Sequence, residues 1–158
     1  MLTTISTDEK LRYINNMLSE ISDIYQRLLL SKNVQESVFI VMSSILELGE
    51  GCLQKDIAEK SYTNKKTINS TIKKLQKDEY IELKAGKYPN MHIYLTDRGR
   101  EYMLSSIVPI IELEKNVLEC ISEKDFEILV DSHTRYISNF REHVEEFAAK
   151  CYCEENIK

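Results

Sequence analysis

Apolar residues recur at spacings of three and four along most of the chain. Over residues 8 to 30, "DEKLRYINNMLSEISDIYQRLLL", Leu11, Ile14, Leu18, Ile21, Tyr25 and Leu28 share one side of a 3.6-residue repeat, which predicts an amphipathic helix. Residues 34 to 48 repeat the pattern with Val38, Val41, Met42, Ile45 and Leu46. The glycines of "GEGC", at 49 to 52, end that helix, because glycine tolerates the left-handed turn. Two shorter helices follow, "LQKDIAEK" at 53 to 60 and a second from Lys65 to Lys77, with Asn64 as its cap.

The period then changes. "YIEL" at 80 to 83 and "HIYL" at 92 to 95 read as strands, and the intervening "KAGKYPNM" carries Gly86 and Pro89, which mark a turn. "TDRGREYM" opens a further helix, capped by Thr96 and running to about Cys120. Pro109 lies inside it and predicts a kink or break. The last helix starts after Ser122, with Asp125 completing a capping-box-like start, and runs to about Lys150. The order is four helices, a hairpin, and two helices.

Composition fits this outline. The chain has 158 residues, 42% of them hydrophobic, with four glycines and two prolines, which favours helices over a sandwich or barrel. No run approaches the ~18 to 20 apolar residues of a membrane span, and "MLTTISTDEK" lacks the features of a signal peptide. A cytoplasmic location is expected, and the four cysteines then read as reduced thiols.

Charge changes the picture more. The formal net charge is -5, yet residues 54 to 98 hold ten basic and six acidic residues, a local net of +4. "TNKKTINSTIKKL", at 63 to 75, carries four lysines and no acid. On a helix, Ile68, Ile72 and Leu75 form a buried stripe, with Lys66, Ser70, Lys73 and Lys77 almost opposite. Asn69 and Lys74 flank that polar face, and Lys65 lies nearer the buried side. Lysines neutralise phosphates, Asn pairs bidentately with adenine, and Ser contacts several base edges. In a helix-turn-helix the N-terminal half of the second helix meets the bases. Here it supplies Lys65, Lys66, Asn69 and Ser70, leaving Lys73 and Lys77 better placed for phosphates. A solvated lysine face is the alternative for such a helix taken alone. The preceding "KDIAEKSYTNKKTI", whose small Ala58 lets two helices approach closely, and the hairpin after it favour a winged helix-turn-helix.

The final helix carries a second pattern. Phe126, Val130, His133, Ile137, Phe140, Val144 and Phe147 alternate by four and three, with Cys151 continuing them. This is a heptad seam, and two long terminal helices in a chain of this size predict a homodimer that shares it. His133 reads as a core histidine of the seam. His143 reads as a surface residue, and His92 lies on the wing within reach of DNA. Cys52 precedes the first helix of the winged lobe, Cys120 ends the fifth helix, and Cys151 and Cys153 form "CYC", a spacing unlike common zinc motifs. No metal or cofactor is expected. No nucleophile elbow, phosphate-cradling glycine loop or H-E-x-x-H is present, so the chain does not read as an enzyme.

Taken together, "CLQKDIAEKSYTNKKTINSTIKKLQKDEYIEL" followed by "HIYLTDRGREY" resembles the MarR family of bacterial transcription regulators. The family's "LTxxG" element is matched by Leu95, Thr96 and Gly99, and the flanking helices match too, including the proline in the fifth. The resemblance implies a mainly α fold with a small β-hairpin wing. Residues 47-96 would form the winged helix-turn-helix DNA-binding lobe, and 1-46 with 97-158 the helical dimerisation region. It also implies a dimeric, ligand-responsive repressor straddling pseudo-palindromic double-stranded DNA and released by a small-molecule effector. The candidate DNA-binding residues are Asn64, Lys65, Lys66, Asn69, Ser70, Lys73, Lys77, Lys84 and Lys87. The family often has Asp-x-Arg in the wing. Lys87, Tyr88 and Pro89 stand there instead, so the Arg that enters the minor groove is absent, and Lys84 and Lys87, which lack its planar fork, are left to touch phosphate. Tyr62 stands where a glycine often occupies the helix-turn-helix turn, and is expected either to pack over that turn or to approach the DNA backbone. The alternatives are a winged-helix adapter that binds protein, and a thiol or metal sensor on the same scaffold.

Overall fold

The computed structural model describes residues 5–86 and 91–155, with side chains as far as residue 151. The elements are α1 (Thr7–Ser31), α2 (Glu36–Leu48), α3 (Gln54–Ser61), α4 (Lys65–Lys77), β1 (Ile81–Ala85), β2 (Met91–Leu95), α5 (Asp97–Tyr102), a π-helical segment (Met103–Ile107), α6 (Val108–Glu119) and α7 (Glu123–Glu155). The mainly helical class with one hairpin is as the patterning predicted. No helix among the described residues is long and apolar enough to cross a membrane.

The chain divides into two compact units, Met1–Leu113 and Glu114–Lys158. The core of the first is built by α2, α3, α4, the hairpin and the π-helical segment. Val41, Met42, Ile45, Ile57, Ile68, Leu75, Ile93 and Ile107 are all buried. β1 and β2 are antiparallel, with Ile81 opposite Leu95 and Leu83 opposite Ile93. Those positions turn inward, while Glu82, Lys84, His92 and Tyr94 occupy the other face, as the two-residue period of a strand requires. A short stretch after α2 adds to the free edge of β2. Gly51 N–H donates to Ile93 O at 2.7 Å, and Ile93 N–H donates to Cys52 O at 3.1 Å. The sequence reading gave this stretch only a helix stop.

Local caps decide where the helices begin and end. Ser6 and Glu9 form a capping box on α1. Asn64 Oδ1 accepts from Lys66 N–H at 2.8 Å on α4, and Ser122 Oγ accepts from Asp125 N–H at 3.2 Å on α7. α4 ends in a Schellman turn. Tyr80 N–H donates to Leu75 O and Glu79 N–H to Gln76 O, with Glu79 left-handed at φ 59°. Glycine takes that conformation without the Cβ penalty of about 1 kcal/mol. Glu79→Gly is therefore expected to raise the stability of the chain by roughly that amount, measured by chemical denaturation; an unchanged or lower midpoint would count against this description of the turn.

Pro109 does not break the helix, which runs on from Asp97 to Glu119. It has no N–H to donate to Ser105 O, and its ring would crowd that carbonyl in an α-helix. The backbone widens instead over Met103–Ile107, and Val108 N–H reaches Met103 O, five residues back. The helix then continues as α6.

Candidate nucleic-acid interface

α3 and α4 pack on each other and on α2, and Ile57 and Ala58 of α3 are buried together with Ile68, Ile72 and Leu75 of α4. Thr71 joins the buried stripe of α4, and its hydroxyl donates to Thr67 O at 3.0 Å. That hydrogen bond lets a polar residue sit inside, so the inward face is wider than its apolar residues alone indicated. The cap of α3 is Tyr62, left-handed at φ 52°, ψ 23°.

The opposite face of α4 is a ridge of cations. Lys65, Lys66, Lys73 and Lys77 are exposed, and among the described residues none of the four has an ion-pair partner. Three lysines of the same lobe off the ridge are engaged. Lys60 meets Glu47 at 2.6 Å, Lys74 donates to Gln35 Oε1 at 2.6 Å, and Lys84 meets Glu82 at 2.6 Å while lying 4.7 Å from the centre of the Tyr94 ring. The hydrogen bond that Lys84 donates to the Glu82 carboxylate raises the Lys84 pKa above the ordinary lysine value. Lys84 is therefore partly neutralised by Glu82, and its remaining ammonium N–H groups are what it can offer another anion. Lys87, the other wing lysine, lies outside the described residues, as do Tyr88 and Pro89.

The ridge's polar side chains divide by what they have free. Asn64 has its oxygen committed to the cap and its amide N–H groups available. Ser70 donates to Thr67 O at 2.8 Å, which leaves the hydroxyl oxygen as an acceptor. Asn69 is half-buried, and no described residue occupies its carboxamide, so it offers donor and acceptor together. Thr67, also exposed, is a hydroxyl the sequence reading passed over. Its place between the lysine face and Thr71 is the signal that could have found it.

The ridge rests on a braced lobe. Thr96 Oγ1 donates to Glu79 O at 2.6 Å and accepts from Gly99 N–H at 2.9 Å, which ties the end of α4 to the start of α5. Glu50 pairs with Arg100 and accepts from Leu95 N–H at 3.2 Å, and Arg100 Nη2 donates to Leu95 O at 3.1 Å. His92 Nδ1 lies 2.5 Å from Gly51 O, so that nitrogen is the donor and the ring is held to the lobe. The Leu-Thr-x-x-Gly element is in this way a splice between the wing and its neighbouring helices.

None of the described cysteines belongs to α4. Burial, and then the nearby Asp56 carboxylate, push the Cys52 thiol above its ordinary pKa, which is the opposite of an activated thiolate. Cys120 is exposed and donates to Asn116 O at 3.3 Å. Cys151 is exposed, and Cys153 lies beyond the described side chains. Among the described residues no three His, Cys, Asp or Glu converge as metal ligands.

In the second unit, the seam of α7 is open. Phe126, Val130, Ile137, Phe140, Val144 and Phe147 are all exposed in the single chain, Phe140 to 60%. His133 is exposed with them and is not buried in a core within the chain. His143 is a surface residue bonded through Nδ1 to Asn139 O at 2.8 Å. In the first unit, the stripe of α1 likewise leaves Leu11, Leu18, Ile21 and Tyr25 exposed, and Leu29 is the buried residue of that helix.

No protein-family profile and no curated protein sequence matches the chain. Solved structures do. NMB1585, a MarR family regulator from Neisseria meningitidis, is 19% identical, with a TM-score of 0.76 over 87% of this chain and 97% of that one. Staphylococcus aureus MarR in complex with salicylate and kanamycin is 14% identical, with a TM-score of 0.64 over 86% of this chain and 93% of that one. The S. aureus MepR–DNA complex is 16% identical, with a TM-score of 0.64 over 87% of this chain and 99% of that one. At these identities the likeness is one of architecture, and the chain has the winged helix-turn-helix fold of the MarR family regulators.

Proposed function

We propose that the protein is a dimeric DNA-binding transcription regulator of the MarR type, a repressor whose grip on its operator responds to a small molecule. The observation that carries this reading is the unpaired cation ridge of α4, set on a fully buried apolar stripe. A lysine face that served only solubility would have no need of rigid backing or of hydrogen-bonding groups interleaved with the charges. This ridge has both. Lys65, Lys66, Asn69 and Ser70 occupy the end of the helix that enters the major groove, and Lys73 and Lys77 lie toward the phosphates. Asn64 serves as both the cap and a neighbouring donor. Lys84 and Lys87 act from the wing as phosphate contacts. Residues 47-96 are the DNA-binding lobe in this reading, and 1-46 with 97-158 the dimerisation region.

The second copy is called for by the open seams. Each long helix leaves a row of large apolar side chains exposed in the single chain, and such a row marks an interaction surface; a two-fold partner would cover the rows and set two ridges one DNA turn apart. Phe140→Glu, at the middle of the α7 seam, is expected to shift the protein from dimer to monomer in analytical ultracentrifugation. A wild-type monomer at micromolar concentration would refute the dimer.

The effector is the least specified partner. Its support is the shared architecture with a MarR protein crystallised with salicylate. Selection of bound sequences from random duplex DNA tests the whole reading. It should enrich a pseudo-palindrome with half-sites about 10 base pairs apart. Retention of a protein partner with no enriched DNA would favour the adapter alternative.

A further inference from the structure

We infer that Tyr62 is a DNA-contact residue, its phenol hydroxyl donating to a backbone phosphate beside the groove that receives α4. The inference rests on the DNA-binding reading above and adds to it a residue outside the lysine ridge. Three residues other than glycine are left-handed among those described: Asn33, Glu79 and Tyr62. Asn33 belongs to a residue type suited to that conformation. The Glu79 carboxylate lies 3.7 Å from Arg98. Tyr62 is 92% exposed and makes no hydrogen bond, ring contact or ion pair with any described residue. No described residue offers a contact that offsets the strain of holding a large aromatic there.

The surroundings supply the missing partner's chemistry. Tyr62 caps α3 and stands two residues before the Asn64 cap of α4. At no more than ~3.6 Å of chain per residue, its backbone is within about 11 Å of Lys65. Lys65 and Lys66 occupy the first turn of α4, which has no acidic residue. Two cations there oppose the positive end of the helix dipole. The left-handed tyrosine and the two adjacent lysines are each unfavourable in the isolated chain, and contact with the same ligand, a phosphodiester anion, offsets both costs. In a helix-turn-helix the first helix crosses the DNA backbone and the second enters the groove, so the turn joining them passes a phosphate. A phenol held there donates to a phosphate oxygen without bringing a charge of its own.

The test compares Tyr62→Phe, Tyr62→Gly and Lys66→Ala for binding to a mixed-sequence duplex of about 30 base pairs, a suitable probe because a phosphate contact is independent of sequence. Tyr62→Phe should bind roughly tenfold more weakly, with an unchanged slope of log affinity against log salt, because a neutral donor releases no counterion. Lys66→Ala should instead flatten that slope by about 2, close to one for each chain of the dimer. Tyr62→Gly should lose at least as much affinity as Tyr62→Phe while its Tm rises by about 2–4 °C. If wild type binds with a steep salt dependence and Tyr62→Phe binds equally well, the inference is overturned and the DNA-binding reading stands. If wild type shows no salt-dependent binding, that reading fails and the inference falls with it.

Discussion

Gly99→Ala should come close to unfolding the protein, at a cost of about 4 kcal/mol, within reach of the whole stability of a typical domain. A Cβ at this position would lie 1.8 Å from the carbonyl oxygen of Tyr80 and 2.9 Å from its carbonyl carbon. Neither atom can yield. Tyr80 O already accepts from Thr96 N–H at 3.2 Å, and Tyr80 N–H closes the turn that ends α4. The conformation of Gly99 is ordinary and helical, so the cost comes from space alone. Gly49 is the opposite case. Its φ is +86°, but a Cβ there meets nothing within 4 Å, so Gly49→Ala should cost only the left-handed penalty of about 1–2 kcal/mol. Chemical denaturation of both variants checks the pair. Equal losses, or a mild Gly99→Ala, would mean that the wing and α5 are not packed as described.

Reversing two charges on the ridge should abolish DNA binding without touching the fold. Lys66→Glu combined with Lys73→Glu is expected to lower affinity for duplex DNA by about 100-fold or more, since each change removes a phosphate contact and adds a repelling charge. Both side chains are exposed and unpaired among the described residues, so thermal stability should stay within roughly 0.5 kcal/mol of wild type. Lys10→Glu with Lys124→Glu alters the net charge equally at exposed sites elsewhere and should leave binding within a few-fold. If both double variants lose the same affinity, binding follows overall charge and the ridge has no special part in it.

Much of this was legible in the residues. The start and the inward face of α4 were readable because two signals agreed: the Asn64 cap and the apolar stripe. The ridge followed from the same periodicity. What stayed hidden depended on contacts distant in sequence. The pattern placed Gly99 in a motif, but only the approach of Tyr80, nineteen residues earlier, explains why no side chain fits. Pro109 announced a disturbance without its form, because a proline constrains a hydrogen bond and leaves the backbone several ways to do without it. Gly51 and Cys52 joined β2 through backbone groups that carry no sequence signal. The pairing of Lys60, Lys74 and Lys84, which separates them from the free lysines, was equally invisible. Periodicity also marked the seam of α7 as apolar without saying what covers it, and within one chain nothing described does.

The central claim is that four unpaired lysines per chain form a surface for the phosphates of a double helix. Affinity for duplex DNA measured between 50 and 200 mM salt tests it most directly. Two chains engaging all four lysines predict a slope of log affinity against log salt of about −7, a loss of roughly 10⁴ across that range. A slope near zero would contradict the account.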